Sequence, residues 1–473
     1  MTKKTILAII IVVFFIVVIS LFFLTRKGEE QFQLIPQERI KKEKKIGVVS
    51  IEVGTGWSTK ENPGDAVKEA IDMALEDNKA RTPDFAVIFA SSGSDMGAIL
   101  SKARALFGNR TKIYGGTSDS RAVMTDKGFV KATERGYTYA SMEGERGLAI
   151  MTITSKDIVF GVGSANFSAY PSIQEASKTA ILNAIKSAVK SRNELPKMIL
   201  AMCTIGAEEE ALEGIEKVVG KNTPILGGTA GGPTFAVLGE NKVYNKGISL
   251  ATIYTDLPVG WTFEGGFDVT NPHTGIVTEV KGQAIVEIDN RPALDVYNEW
   301  LDGEIGRLYK EVRKPDVIRD LLILHPIYRK YTSPDGQNYF LFSHPWPKDN
   351  TMKDRSIMTS TKIKVGDRIY LSQGTWETLV NRIGNLPRNA KLYGGIGVDA
   401  APIFGIGYIC GGVMGVIPET ERERLPLLIN YANNNAPFIA GFTWGEQGYF
   451  PGIGNKHGNL LTSFLVIGDK GQR

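Results

Sequence analysis

Residues 85–95 read FAVIFASSGSD, and residues 197–209 read KMILAMCTIGAEE. Each begins as a short apolar run of the buried-strand kind and stops in small, polar residues that open a helical pattern. After the first come a helix over 98–106 and the strand KIYGGTS (112–118). After the second come a helix over 209–219 and PILGGTA (224–230). The two GGT motifs start at Gly115 and Gly227, an offset of 112, and the same offset sets Ile88 against Leu200 and Ser91 against Cys203. Shared order, offset and motif predict an internal duplication.

Working outward, a β-rich run IGVVSIEVG (46–54) precedes the first copy. A helix over 63–79 follows it, with Ala66, Val67, Ala70, Ile71, Ala74 and Leu75 at helical spacing and Pro63 near its start. The second copy has its own amphipathic helix over 175–191. A looser third version follows, with PIFGIGYICGG (402–412), a helix over 419–431 and PFIAGFTWGEQG (437–448). Between them lie a β-rich stretch (259–288), a helix over 293–301, and a region rich in proline and aromatics (320–365) that reads as an irregular insertion or extra strands. The fold class expected is α/β: duplicated strand–helix–strand units forming mixed sheets flanked by helices.

The N-terminus has a different character. Residues 5–24 are apolar except Thr5 and Ser20. At about 1.5 Å per residue a helix of that length spans roughly 30 Å, the thickness of the hydrocarbon core. No small-residue cleavage site follows, so a retained single-pass signal anchor is expected. Lys3 and Lys4 before the span and Arg26, Lys27, Arg39, Lys41, Lys42, Lys44 and Lys45 after it pull the orientation opposite ways. The expectation is an extracytoplasmic soluble part, with 26–45 as a charged linker.

The 55 basic and 51 acidic residues leave a formal charge of +4, too small to point to nucleic acid, and no basic stripe interleaved with aromatics occurs. Two cysteines, Cys203 and Cys410, exclude a disulfide framework and a thiolate cluster, and leave the redox compartment open. The chain has no G-x-S-x-G elbow and no G-x-x-x-x-G-K-[ST] phosphate loop. The four histidines, His273, His325, His344 and His457, are scattered without metal-ligand spacing, so neither a metal nor a cofactor is expected.

Several separated motifs resemble the FIST family, a sensory domain described as binding small ligands such as amino acids. VIFASSG, IYGGTS and PILGGTAGG resemble its N-terminal unit. GWTFEGGFDVT, AIVEIDNRPALDVYNEWL, KVGDRIYLSQ, FIAGFTWGEQG and NKHGNLLTSFLVIGD resemble its C-terminal unit. The resemblance implies an N-type domain over 46–255 and a C-type domain over 256–473, after the anchor (1–25) and linker (26–45). It implies a small ligand, an amino acid or similar small carboxylate, and a role in signal transduction or transport-related sensing, with a separate signalling partner, since no output module is attached.

Ligands of open α/β sheets sit beyond the carboxyl ends of strands, where helix starts favour anions. Together with the resemblance, this makes Ser91, Ser92, Gly93, Gly115, Gly116, Thr117, Ser118, Cys203, Thr204, Gly227, Gly228 and Thr229 candidate ligand contacts. GFTWGEQG (441–448) and GNKHGN (454–459) add Trp444 for an apolar face, Glu446 for an ammonium group, and His457 and Asn459 for polar groups. The bland alternative is that the glycines permit tight packing and Trp444 fills a core. Two other functions stay open. One is a thiol-dependent or hydrolytic enzyme using Cys203 or Cys410 with His457, and the other is an envelope scaffold with no small ligand.

Overall fold

Three times the chain runs through the same cycle of strands and helices. The computed structural model describes residues 50–469 except 79, 81, 120–121, 132–146, 190–193, 312–314, 349–352, 394–395 and 397–400. The apolar run 5–24 and the linker 26–45 fall outside the described residues; among those described, no helix is long and apolar enough to cross a membrane.

The first cycle comprises β1 (Ile51–Ser58), a helix (Pro63–Asp77), β2 (Phe85–Ser91), a helix (Met96–Phe107) and β3 (Lys112–Ser118). A hairpin of β4 (Ala122–Thr125) and β5 (Gly128–Lys131) and a return strand β6 (Leu148–Ser155) complete it. The second comprises β7 (Ile158–Asn166), a helix (Ile173–Ser187), β8 (Met198–Cys203), a helix (Glu208–Val219) and β9 (Ile225–Thr229). Its hairpin is β10 (Val237–Leu238) and β11 (Val243–Tyr244), and its return strand is β12 (Gly247–Thr255). The third opens with β13 (Val259–Glu264) and is interrupted by eight strands, from β14 (Thr274–Lys281) to β21 (Arg368–Leu371), which build a sheet of their own. The region 320–365 supplies several of these, so it is extra strands. The cycle resumes with a helix (Leu386–Tyr393), β22 (Pro402–Cys410), a helix (Glu419–Ala432) and β23 (Phe438–Thr443). It ends with the hairpin β24 (Glu446–Phe450) and β25 (Gly454–Gly458) and the return strand β26 (Thr462–Gly468).

Each cycle makes a mixed sheet in the same order: opening strand, return strand, then a parallel pair. The parallel pairs are β2 with β3, β8 with β9, and β22 with β23. The hairpins leave home. β4–β5 extends the third sheet beyond β23, β24–β25 extends the second beyond β9, and β10–β11 extends the first beyond β3. This closed exchange covers one edge of each of these three sheets with backbone from another cycle. It also carries strands of both sequence halves across position 255 in each direction.

The sheets share one core. Phe85, Phe89 and Tyr114 of the first, Met198, Met202 and Leu226 of the second and Phe404, Tyr408 and Ile439 of the third lie in one buried cluster. Fully burying such a side chain is worth about 1.5–3 kcal/mol, so this shared centre holds the cycles together. Each opening strand meets its helix by the same device. A Cβ on Gly56 would lie 1.9 Å from the Ala70 carbonyl oxygen, one on Gly163 2.1 Å from that of Ala180, and one on Gly260 2.4 Å from that of Ala390. Glycine on the strand and alanine on the helix let the backbones touch.

The structure corrects one detail of the repeat. Gly115 and Gly227 are equivalent, each overlying the carbonyl of the preceding strand, Ile88 and Ala201 respectively. The preceding strands therefore match at an offset of 113, not 112. Cys203 corresponds to Ala90, and Thr204 to Ser91. The connection between the parallel strands is one residue shorter in the second cycle, which a single offset cannot register.

Candidate functional site

The candidate residues lie where the parallel strands end and the exchanged hairpins begin. Ser91 ties the end of β2 to the return strand: its N–H donates to the Gly147 carbonyl at 2.7 Å, and Gly147 N–H donates back to its Oγ at 2.7 Å. Thr204 repeats this with Gly247, donating from N–H at 3.0 Å and accepting at Oγ1 at 3.1 Å. In the third cycle Cys410 N–H donates to Leu461 at 3.2 Å. Ser92 Oγ lies 3.2 Å from Thr234 Oγ1, and Gly93 N–H reaches that same hydroxyl at 3.3 Å.

The GGT motifs are joints between cycles. Thr117 Oγ1 donates to the Gly231 carbonyl at 2.8 Å, and Ser118 Oγ accepts from Phe442 N–H at 2.7 Å. Thr229 N–H donates to Gly445 O at 2.8 Å, and its buried hydroxyl donates to Glu208 Oε1 at 2.9 Å. A Cβ on Gly116 would lie 2.7 Å from the Ala236 carbonyl, and one on Gly228 2.2 Å from Thr443 Cγ2. Gly115 and Gly227 likewise press on backbone, so these four glycines serve close packing.

The helix starts differ from the expectation of open anion sites. Asp95 caps the helix after β2, accepting from Ala98 N–H at 2.9 Å. The helix after β8 has no side-chain cap but carries Glu208, Glu209 and Glu210 in its first turn. Both positive helix ends thus already face carboxylates of the chain itself.

The segment 444–459 is drawn against the second sheet, with Glu446 pairing Gly228 and Gln447 pairing Gly227. Trp444 is half-buried and meets Phe235 edge-on at 5.1 Å. Its carbonyl accepts from Asn459 Nδ2 at 3.1 Å. His457, 3% exposed, contacts Gln447 Nε2 through Nδ1 at 3.2 Å. Three buried atoms here, Gln447 Oε1, His457 Nε2 and Asn459 Oδ1, have no hydrogen-bond partner.

Glu446 is fully buried, accepting from Thr443 Oγ1 at 2.7 Å and Leu461 N–H at 3.1 Å, with the Cys410 thiol beside it. Burial pushes its carboxyl well above the ordinary value, and these bonds only partly offset the shift. Both cysteines are free and buried. Burial also pushes both thiols up, with Glu208 and Glu209 adding to the effect at Cys203 and Glu446 at Cys410.

The structure therefore brings the candidates into one hydrogen-bonded belt, from Ser92 through Ser118 to β23, and from Thr229 through Trp444 to Asn459. It adds Gln447, Glu208 and Glu209, which sequence reasoning left unassigned. Glu208 and Glu209 carry the ordinary signal of a helix's first turn, which hides any other role. Gln447 sits inside a quoted motif, but only the hairpin geometry turns it towards His457.

Residues 84–291, from just before β2 into the strands of the interruption, match the family model described as FIST N domain. FIST domains are a sensory domain family. No curated protein matches the chain. Among solved structures, cyanuric acid hydrolase from A. caulinodans is similar at 9% identity, covering 46% of this chain and 74% of that one, with a TM-score of 0.28. A further cyanuric acid hydrolase matches at 8% identity over 88% and 99%, with a TM-score of 0.27. Phosphoribosylformylglycinamidine synthase II from Thermotoga maritima matches at 11% over 89% and 72%, with a TM-score of 0.20. Likeness at that level decides nothing about this chain's activity.

Proposed function

We propose that the chain is a sensory domain that binds a small polar ligand, amino-acid-like in chemistry, at the junction of the second and third cycles, and that residues 5–24 anchor it to a membrane. The observation that carries this reading is the group of buried, unpartnered polar atoms within 447–459. Buried polar groups are nearly always paired, and His457 Nε2 and Asn459 Oδ1, two exceptions within three residues, ask for a partner from outside the chain. Asn459 Oδ1 is an acceptor suited to an ammonium group, and Trp444 offers an apolar face beside it. Glu446 is a poorer choice for the ammonium, because burial pushes its carboxyl up and works against the charged form such a partner needs. The thiol-enzyme reading is disfavoured by the same physics, since the thiol and not the reactive thiolate is the stable form of both cysteines.

The test is a thermal-shift screen of the full chain against amino acids and small carboxylates. A ligand at 100 times its Kd adds about 2.7 kcal/mol, enough for a measurable rise in Tm. The expected result is a shift confined to one chemical class and lost in Asn459→Ala. A folded protein that responds to nothing in the panel would move the weight to the scaffold reading.

A further inference from the structure

We propose that Glu208, Glu209 and His457 form a binding site for one divalent transition-metal ion. His457 is remote in sequence from the two glutamates, and the cyclic exchange of hairpins brings it to them: β24–β25 carries His457 onto the second sheet, beside the helix whose first turn holds Glu208 and Glu209. A ring nitrogen of His457 and carboxylate oxygens of Glu208 and Glu209 all lie within 4.8 Å of one another. Donors around a four-coordinate ion at roughly 2.0–2.2 Å stand about 3.5 Å apart, so side-chain adjustments of about an ångström close the site.

Acidic residues in a helix's first turn are by themselves ordinary. The independent observation is His457, an imidazole 3% exposed whose Nε2 has no hydrogen-bond partner and which sits against those carboxylates. Glu208 is 5% exposed and holds the Thr229 hydroxyl through Oε1, a contact that fixes the carboxylate's orientation as outer partners of metal ligands do. Glu209 Oε1 accepts from the backbone N–H of Lys362 at 2.9 Å, while the Lys362 ammonium pairs with Glu210. Gln447 completes the arrangement. With its amide oxygen turned to Nδ1, it accepts the Nδ1 proton and leaves the Nε2 lone pair for the ion.

One imidazole and two carboxylates suit zinc, manganese, iron(II) or cobalt; magnesium and calcium prefer oxygen alone. Three protein donors leave a further position for water or a small anionic ligand. The assignment does not rest on the sensory reading: a chain that binds metal and ignores every amino acid would keep it.

The test uses the full chain, stripped with a chelator, dialysed, and titrated with Co²⁺ and with Zn²⁺ by calorimetry, with metal content measured by mass spectrometry. One equivalent per chain is expected, with cobalt absorption bands showing nitrogen ligation. Glu208→Gln and His457→Gln should each weaken binding at least tenfold. Gln447→Leu should weaken it 10- to 100-fold, whereas Gln447→Glu, which keeps an acceptor for the Nδ1 proton, should hold or raise affinity. Circular dichroism checks folding. If Glu208→Gln does not fold, the more exposed Glu209→Gln replaces it and must show the same loss. No stoichiometric metal on the folded wild type, or unchanged affinity in the folded variants, overturns the assignment.

Discussion

Replacing Glu446 with glutamine should flatten part of the protein's dependence of stability on pH. The wild-type carboxyl is fully buried, bonded to Thr443 and Leu461, and raised well above its ordinary 4.5 mainly by desolvation. The folded chain therefore holds this proton more tightly than the unfolded chain does. Stability from this group is fully present below the unfolded value. It is lost as pH rises from there towards the folded value, because unfolding then releases the proton. The slope cannot exceed about 1.4 kcal/mol per pH unit, so between pH 5 and pH 7 the wild type loses up to about 2.7 kcal/mol through this group. Glutamine has nearly the same shape and does not titrate; its one oxygen can accept from Leu461 N–H while its amide nitrogen donates to the Thr443 hydroxyl, and any constant loss drops out of the pH dependence.

The assay is urea unfolding of both proteins at pH 5, 6 and 7 in matched buffers, reading the difference between them so that every other titration cancels. Glu446→Gln should gain on the wild type at each step. Parallel curves would refute the reasoning, because they require a carboxylate already ionised in the folded protein. Glu446 would then return as the natural acceptor for a ligand's ammonium group.

Two further outcomes follow from buried groups. Tyr114 and Tyr408 join the first and third cycles through hydroxyls 2.7 Å apart in the shared core. Tyr408→Phe should cost about 1–3 kcal/mol by stranding the Tyr114 hydroxyl, and adding Tyr114→Phe should cost little more; additive losses in a double-mutant cycle of denaturant unfolding would show that the pair is not coupled. Cys203 and Cys410 should react with iodoacetamide only as fast as the protein opens, accelerating with added urea, and rapid labelling of either in the native protein would revive the thiol-enzyme reading.

Much of the architecture was legible because repetition leaves local marks. The apolar runs FAVIFA and KMILAM, the GGT motifs and the helix periodicities each depend on neighbours within a few residues, and all mark elements near their observed bounds. Even the third cycle, with GFT in place of GGT, showed its strand and helix patterns. The one-residue shift between Ser91 and Cys203 was not legible, because register within a parallel pair is set by backbone contact across the sheet.

The sequence by itself determined that this is an α/β chain built from repeated units, with an apolar N-terminal run and small-residue loops at its strand ends. Tertiary structure alone decided what those loops face. The exchange of hairpins sends β4–β5 to the third sheet, where Ser118 becomes a joint, and β24–β25 to the second, which makes Thr229 a joint, buries Glu446 and sets His457 beside Glu208 and Glu209. Hydrophobic periodicity reports which face of a strand is buried, but not which sheet receives it. That choice is made by long-range packing against the shared core, and it placed the chemistry where no spacing in the sequence could show it.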